Sequence, residues 1–420
     1  MKQTEIDKIP KKWEVVNLDD VAYINKASID PTKELPDKKF FYIDIDSVEN
    51  GTGVLKNIKE IIGKDAPSRA RRVIHYNDVI MSTVRPYLKA FALVPQKYDK
   101  QICSTGFAVL SCKEKLFPLY LLYSIFSRSV INQCNRMMIG GQYPALNTSQ
   151  VVQIKIPLPP LPEQKKIAEV LSTVDEAIQK IDEAIEYTQR LKKGLMQVLL
   201  TKGIGYKEFR NTKIGRIPKG WAVVKLGDIS TEICRYPTYY NIEYEEKGIP
   251  EIRGELIKSN GTLETDLSFY RFISQDTAVQ FPRTSMQEGD FVVSVRGTMG
   301  KVAIVPKELK GANITANLMR ISPDRNRIYP LWLHQIFMSD KFQDQLKKVS
   351  SSTTIKTIKA PALKSLKLSL PPLSEQKKIA EILSSVDEKL ELLRVRKEKF
   401  TRLKNGLMNE LLTGKKRVKI

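Results

Sequence analysis

The chain has 420 residues, of which 42% are hydrophobic, and its 69 Lys and Arg against 47 Asp and Glu give a formal net charge of +22. A chain of this length and hydrophobic content is expected to form two to four globular domains, which excludes a disordered or fibrous protein. The excess of positive charge favours a polyanion, above all a nucleic acid, as the partner. A Lys-rich surface without such a partner stays open as the alternative.

Metal, disulfide and membrane chemistry find little support in the sequence. The cysteines form no C-x-x-C motif and the two histidines stand far apart, so we expect no zinc site and no disulfide framework. The N-terminus lacks the apolar run of a signal peptide, and the longest apolar stretch, Leu119 to Phe126, is too short to cross a bilayer. We therefore expect a soluble, cytoplasmic protein.

In chain order, variable globular segments alternate with long helices. Strands are predicted at Phe40 to Asp44 and Val79 to Val84, followed by a helix near Leu119 to Met137. The second half repeats this order, with a strand at Val302 to Val305 and a helix near Pro330 to Lys348. The predicted boundaries are 1–157 for the first globular domain, 158–202 for the first long helix, 203–216 for a linker, 217–369 for the second globular domain, 370–414 for the second long helix and 415–420 for a basic tail.

The chain contains an internal repeat, which decides the architecture before any local pattern does. Thr4 to Ala22 returns at Thr212 to Ser230 with ten of nineteen positions identical, and Leu158 to Glu176 returns at Leu370 to Glu388 with sixteen of nineteen identical. The helices are thus nearly copied, whereas the globular parts diverge. This difference indicates one common docking surface and two different targets, although plain duplication with drift in the globular parts stays open.

Both long helices show a heptad pattern, because apolar residues recur every four and three positions. The first seam is Ile167, Leu171, Val174, Ile178, Ile181 and Ile185, continued by Leu191, Leu195 and Leu199. The second seam is Ile379, Leu383, Val386, Leu390 and Leu393, continued by Phe400, Leu403, Leu407 and Leu411. Each helix is predicted to have about 38 residues and a length of roughly 55 Å. Gly203 and Gly414 are the predicted C-caps.

The two seams are predicted to pair antiparallel, because two isolated amphipathic helices would leave long apolar stripes in water. The globular domains would then lie at opposite ends of a rod, related by a pseudo-two-fold axis. Two such domains could read two short DNA words about one helical turn, roughly 34 Å, apart. The alternative is that each helix packs only on its own domain.

The doubled motifs resemble those of one known family. IPKxW…LGD, a variable domain containing SVRGTMGKVAIVP, LPPLxEQKKIAExLSxVDE and LKxGLMxxLL resemble the specificity subunit of type I restriction–modification enzymes over essentially the whole chain. The resemblance implies an α+β fold, with two mixed α/β target recognition domains separated by antiparallel coiled-coil helices. It also implies recognition of an asymmetric bipartite site in double-stranded DNA.

The resemblance further implies a chain without catalytic activity that docks two methyltransferase subunits and, through them, restriction and translocase subunits. No cofactor is expected on this chain, whereas S-adenosylmethionine, ATP and Mg are expected on the partners. The sequence agrees, since it has neither an Asn-Pro-Pro-aromatic motif nor a G-x-x-x-x-G-K-[ST] loop. A stand-alone DNA-binding regulatory or architectural protein, and a scaffold with incidental basic charge, remain the alternatives.

Candidate DNA contacts are polar residues on loops beside glycine or aromatic residues, since such side chains reach base edges while lysines favour phosphates. The first domain offers Arg85, Tyr87 and Lys89, together with Gln142 and Tyr143 in the turn that begins at Gly140. The second domain offers Arg296, Thr298 and Lys301, together with Ser351, Ser352, Thr353, Thr354 and Lys356. Each arginine could equally contact a phosphate or a neighbouring carboxylate, and the stretch at Gly297 could be only a hairpin turn.

Two further features have mainly structural interpretations. Trp13 and Trp221 head equivalent apolar segments, which favours core anchors over base-stacking residues. Basic runs such as Lys165-Lys166, Lys377-Lys378 and Lys415-Lys416-Arg417 are typical of solvated faces, and the first two could also meet acidic surfaces of partner subunits.

Overall fold

The computed structural model describes residues 1–4, 8–139, 141, 144–235, 242, 244–349 and 357–419. The chain divides into two compact units, the first comprising Met1–Glu183 with Val395–Ile420 and the second comprising Ala184–Arg394. Each unit contains one globular domain and one segment from each of two long helices.

The first half of the chain is a mixed α/β domain followed by a long helix. Its strands are β1 Lys2–Gln3, β2 Lys8–Ile9, β3 Glu14–Asn17, β4 Ala22–Ile24, β5 Lys39–Ile43, β6 Lys59–Ile62, β7 Ala70–Ile74, β8 Val79–Ser82, β9 Phe91–Leu93, β10 Gln101–Ser104, β11 Phe107–Cys112 and β12 Lys155–Leu158. Its helices are α1 Leu18–Val21, α2 Pro31–Glu34, α3 Pro118–Phe126, α4 Arg128–Met137, α5 Thr148–Val152 and α6 Leu161–Lys202.

The second half repeats this arrangement. Its strands are β13 Phe209–Thr212, β14 Gly215–Pro218, β15 Ala222–Lys225, β16 Ser230–Arg235, β17 Tyr244–Glu245, β18 Ile249–Ile252, β19 Arg271–Ile273, β20 Phe291–Ser294, β21 Val302–Ile304, β22 Asn313–Ile314, β23 Leu318–Pro323 and β24 Lys367–Leu370. Its helices are α7 Gln275–Gln280, α8 Pro330–Met338, α9 Asp340–Val349, α10 Ala360–Lys364 and α11 Leu373–Leu411.

Four-stranded sheets form the centre of each globular domain. The first unit has the strand orders β6-β5-β10-β7 and β4-β11-β8-β9, and the second has β17-β19-β18-β22 and β16-β23-β20-β21. Among the described strands, each unit has one parallel pair, β10 with β5 and β18 with β22. The order β16-β23-β20-β21 reproduces that of β4-β11-β8-β9, so the repeat in the sequence is also a repeat of sheet topology.

The predicted strands are confirmed, and their burial explains them. β8 reads Val-Ile-Met-Ser and is buried along its length, as expected for a strand covered on both faces. The two predicted domain helices are each split in two. Ser127 ends α3 and its hydroxyl accepts a hydrogen bond from the Val130 amide at 3.3 Å, which starts α4 as an N-cap. Ser339 separates α8 from α9 in the same way.

The two long helices are confirmed, and they pair antiparallel within each unit. In the first unit Lys404 contacts Asp175 at 2.6 Å and Lys397 contacts Asp182 at 2.5 Å, so residue numbers rise on α11 as they fall on α6. In the second unit Lys192 contacts Asp387 at 2.6 Å. The helix segments also join the domain cores, because residues of α6 and α11 lie in the same apolar clusters as the sheets.

Most of the predicted seam residues lie inside. Ile167, Leu171, Val174, Ile181, Ile379, Leu383, Leu390 and Leu393 are buried, and Ile178, Ile185 and Val386 are half-buried. The continuation of the seams is wrong at Leu191 and Leu403, which are 45% and 50% exposed. A helix of 3.6 residues per turn drifts from a seven-residue repeat, and the neighbouring Lys192 and Lys404 take the inner positions.

A glycine follows each long helix and lies against a tryptophan of the same unit. Gly203 directly follows α6 with a φ of 66°, which confirms this predicted C-cap. Gly414 has the same φ but lies three residues beyond the end of α11 at Leu411, in the turn that follows the helix. A Cβ on Gly203 would lie 2.8 Å from Trp221, and one on Gly414 would lie 2.4 Å from Pro10, so no larger residue fits either turn. Only glycine therefore allows this close approach.

Both tryptophans are core anchors, as predicted, with 1% of their surface exposed. The indole of Trp13 donates to the Glu163 carboxylate at 3.0 Å, and that of Trp221 donates to Glu375 at 3.0 Å. Arg417 in the basic tail is exposed, as predicted, but its guanidinium also donates to Glu163 at 2.9 Å. A buried carboxylate needs a positive partner, and the tail supplies it.

Candidate nucleic-acid interface

In the first unit, three chain segments meet at one end of the β4-β11-β8-β9 sheet, and we call this place the first strand-end edge (residues 83–85, 104–106 and 144–146). The Thr83 amide donates to Gly106 O at 2.8 Å, and the Arg85 amide donates to Pro144 O at 2.9 Å. Val84 and Ala145 form an antiparallel bridge. The edge therefore joins the end of β8 to the segment that follows the predicted turn at Gly140.

The candidate residues of the first edge differ in their surroundings. Arg85 is half-buried and has a φ of +48°, an uncommon conformation for a non-glycine residue that is often found at functional sites. Tyr87 is exposed in the short helical turn Pro86–Leu88. The Lys89 ammonium donates to Phe126 O at the end of α3 at 3.2 Å, and burial, reinforced by the charge of Lys404, lowers the pKa of Lys89.

Part of the predicted first site cannot be placed. Gly140, Gln142 and Tyr143 lie outside the described residues. Gly141 and Pro144, which flank them, are described, and Pro144 is bonded to Arg85. The structure therefore brings the two predicted loops of the first domain together at their described ends.

The second unit has an equivalent place, the second strand-end edge (residues 294–301, 315–317 and 357–358). The Val295 amide donates to Asn317 O at 2.9 Å, and the Ile358 amide donates to Val295 O at 3.2 Å. The Thr357 hydroxyl also donates to Val295 O, at 3.1 Å. Ser351, Ser352, Thr353, Thr354 and Lys356 lie outside the described residues. Their segment ends at Thr357, beside the residue that precedes Arg296.

The stretch at Gly297 is indeed a hairpin loop between β20 and β21, and it presents two of the three candidates to solvent. Arg296 and Thr298 are exposed, and Lys301 is half-buried. The Ser294 hydroxyl donates to Thr298 O at 2.6 Å and accepts from the Lys301 amide at 2.9 Å. These bonds fix the loop from inside, so its exposed side chains start from a defined position.

Two further arginines lie at these edges and are not among the DNA contacts predicted from the sequence. Arg69 is exposed, and its carbonyl accepts from the Thr105 amide at 2.8 Å at the first edge. Arg235 ends β16, and its Nε donates to Ala316 O at 2.7 Å at the second edge. No local signal identifies either residue, because only the pairing of distant strands brings each one to its edge.

The positive charge of the chain is concentrated in the segments that carry the edges. Residues 67–160 contain 12 Lys and Arg against three Asp and Glu, and residues 271–372 contain 16 against seven. By contrast, residues 29–66 and 242–270 are net acidic. A polyanion is therefore attracted to the parts of each domain that contain the edges rather than to the whole surface.

The cysteines and the candidate metal ligands in the described parts of the chain give little support for a catalytic site. Burial raises the pKa of Cys103, Cys112 and Cys134 to about 12 and also raises that of Cys234, so these thiols stay protonated at neutral pH. Within the same described ranges, no group of three His, Cys, Asp or Glu residues could hold a metal ion. No helix among them is long and apolar enough to span a membrane.

A groove of about 660 Å³ runs along α6 in the second unit, and we call it the helix groove. One face of α6 lines it, with Gln189, Lys193, Met196 and Leu200 spaced by three and four residues, and α9, β24 and α11 form the other walls. The lining includes Lys192, Lys193, Lys341, Lys367 and Arg394 against Asp340 and Asp387. The lining of the groove therefore combines apolar side chains with a net positive charge.

Two basic α+β domains with matching strand-end edges, each followed by a helix that pairs with its copy, define a protein that recognises nucleic acid through an internal repeat. A family model for the type I restriction modification DNA specificity domain matches residues 10–187 and again residues 218–402. The chain therefore belongs to the family of type I restriction–modification specificity subunits, the non-catalytic DNA-recognition components of these systems.

Relatives and solved structures agree with this assignment. A putative type I restriction enzyme MjaX specificity subunit from Methanocaldococcus jannaschii is 29% identical over 100% of this chain and 97% of its own length. The MjaVIII specificity subunit of the same organism is 30% identical over 98% of this chain and 95% of its own length. Nothing in these comparisons supports a stand-alone regulatory protein.

Among solved structures, one that concerns complex assembly and conformational transition of the type I restriction–modification system is 28% identical. It covers 97% of this chain and 99% of its own with a TM-score of 0.61. An S subunit from M. genitalium, 14% identical with a TM-score of 0.58, shares the fold over 98% of both chains.

Proposed function

We propose that this chain reads an asymmetric bipartite DNA sequence, with one word at each strand-end edge, and docks two methyltransferase subunits and, through them, restriction and translocase subunits. Since its ligand is cellular DNA, it acts in the cytoplasm. S-adenosylmethionine, ATP and Mg are used by the partners. The observation that supports the proposal is that the described ends of the predicted loops meet at the same end of equivalent sheets in both units.

The asymmetry of the site follows from the residues at the two edges. The first edge presents Arg85 in a left-handed conformation followed by Pro86 and Tyr87, whereas the second presents Arg296 followed by Gly297 and Thr298. Different side chains on equivalent scaffolds read different bases, because base edges differ in their donor and acceptor patterns. One chain therefore recognises two unlike words.

The partner surface is proposed along the long helices, whose starts, Leu158 to Glu176 and Leu370 to Glu388, are identical at sixteen of nineteen positions. The helix groove of the second unit adds a concave, apolar and basic site beside α6. Such a groove fits an amphipathic helix with acidic residues, which is a common mode of protein recognition. We place one methyltransferase contact there.

The experiment that tests this function measures DNA binding of the purified chain with and without its methyltransferase partner. We expect selective, footprinted binding to one bipartite sequence in the complex, and much weaker binding of the chain alone. Affinity should fall steeply with salt, because basic side chains release counterions from DNA. Binding without sequence preference, or tight selective binding by the chain alone, would contradict the proposal.

A further inference from the structure

Arg235 at the second strand-end edge has donors that the described chain does not use. Its Nε donates to Ala316 O at 2.7 Å. Its Nη2, by contrast, is buried and has no hydrogen-bond partner among the described residues. Buried donors in native proteins are nearly always paired, so an unpaired donor at a candidate binding surface is consistent with a partner from outside the chain.

The electrostatic surroundings of Arg235 point to the chemistry of that ligand. The neighbouring charge is Arg296, and burial together with repulsion from Arg296 lowers the pKa of Arg235. Neither guanidinium forms an ion pair within the described ranges of the chain. Two adjacent cations without a carboxylate attract an anion, and in a DNA-recognition protein the abundant anion is the backbone phosphate.

In the first unit, the comparable guanidinium finds its hydrogen-bond partners within the chain. There Arg72, from β7 of the other sheet, reaches the place where β4 ends and β11 begins, and its half-buried guanidinium donates to Asn25 Oδ1 and to Phe107 O. Both contacts are made within the unit, and burial again lowers the pKa of the guanidinium. Arg72 is thus satisfied by its own domain, whereas Arg235 is not.

We propose that Arg235 binds one backbone phosphate of DNA beside the base contact of Arg296, an interaction that the second edge makes and that Arg72 does not make at the first. This inference rests on the proposed DNA-reading function. Arg235 is half-buried at a strand end with its Nε bonded to Ala316, which favours a contact at the DNA backbone over one in a groove, whereas Arg296 lies on an exposed hairpin. Because Nη2 is closed to solvent without DNA, the contact requires a local side-chain rearrangement when DNA arrives.

The test uses the full chain in complex with its methyltransferase partner and two duplexes, one with the recognised site and one with its second word scrambled. Affinity is measured by fluorescence anisotropy over a range of salt concentrations for the wild type, Arg235→Gln, Arg235→Lys and the matched control Arg216→Gln. Arg216 is exposed and packs over Phe209, outside the edge.

We expect Arg235→Gln to weaken both duplexes by a similar factor and to reduce the slope of log affinity against log salt by about 0.9, the value for one phosphate contact. Arg235→Lys keeps the charge and should keep most of the slope, and Arg216→Gln should keep all of it. Thermal unfolding checks that each variant is folded. If Arg235→Gln does not fold, the comparison of Arg235→Lys with the wild type decides, since a phosphate contact predicts lower affinity for both duplexes at nearly unchanged slope.

An unchanged slope and affinity in folded Arg235→Gln would overturn the inference and leave Arg235 as an anchor for Ala316. Weakening of the specific duplex alone would also overturn it, because that result indicates a base contact. Full wild-type affinity of Arg235→Lys for both duplexes would also overturn the inference. A wild-type complex that does not distinguish the two duplexes would instead contradict the proposed function itself.

Discussion

Glu163 and Glu375 show how much structure single residues of the repeated motif carry. Glu375 accepts hydrogen bonds from the Trp221 indole at 3.0 Å, the Tyr206 hydroxyl at 2.8 Å and the Ile204 amide at 2.9 Å. It thereby fastens the start of α11 to the end of α6 within the second unit. Glu163 makes the equivalent bond to Trp13 and is completed by Arg417. The two glutamates thus have a structural role, because each connects the start of a long helix to other segments of its own unit, and they are not catalytic groups.

Replacing Glu375 by Ala is expected to lower the free energy of unfolding by about 1–3 kcal/mol, because buried donors lose their acceptor. Denaturant unfolding of the full chain followed by tryptophan fluorescence measures this loss. The matched control is Glu169→Ala, since Glu169 is exposed on α6 and should change the stability by less than about 0.5 kcal/mol. Equal effects of the two variants would show that Glu375 has no special structural role.

At the second edge, Arg296→Ala is expected to relax recognition of one word only. The loss should be about 1–3 kcal/mol of discrimination if the guanidinium makes a bidentate base contact. Competition binding with duplexes mutated in either word measures it, with Arg216→Ala as the control for loss of an exposed arginine. Equal weakening on all sequences would reassign Arg296 to a phosphate.

At the scale of elements, the long helices were the most predictable feature of the chain. Their heptads, caps and near-identical copies are local signals, and α6 and α11 lie where those signals placed them. Only some residues of the strand-end edges could be predicted from the sequence. Arg85 and Arg296 stand out beside glycine and aromatic residues, but Arg69 and Arg235 reach the edges through the pairing of strands far apart in sequence. Lys89 was predicted as a DNA contact, but its ammonium donates to the carbonyl of Phe126 at the end of α3.

The exposed leucines provide a test of the helix pairing. Leu383→Ala should destabilise the chain by about 2–5 kcal/mol, because Leu383 is fully buried in the second core. Leu191→Ala should cost less than about 0.5 kcal/mol, since Leu191 points to solvent despite its heptad position. Both values come from denaturant unfolding. A large loss in Leu191→Ala would mean that the predicted seam, rather than the observed one, holds the helices together.

The helix groove makes a prediction for partner binding. Reversing two of its charges with Lys193→Glu and Lys341→Glu should weaken association with the methyltransferase at least tenfold, since an acidic helix would meet acidic walls. Analytical ultracentrifugation or isothermal calorimetry measures the affinity. The control reverses Lys213 and Lys307, which are outside the groove lining. Unchanged assembly of the groove variant would place the partner elsewhere.

At the scale of the whole molecule, the sequence predicts that the long helices set the distance between the two DNA words. Inserting one heptad into both α6 and α11, at positions in register, lengthens each helix by about 10.5 Å, or about three base pairs of DNA. The recognised words should stay the same while the gap between them grows by about three base pairs. Footprinting or methylation mapping of the lengthened chain in its complex shows the gap directly. An unchanged gap would mean that the helices do not space the two words.

The central claim is that two strand-end edges of one chain read two different words of a single DNA site. Methylome sequencing of a host that carries this chain with its partner methyltransferase tests this claim most directly, especially beside the same host with Arg296→Ala. We expect a motif of two unlike words separated by unread bases, with only one word becoming degenerate in the variant. A single contiguous motif, or degeneracy in both words at once, would contradict it.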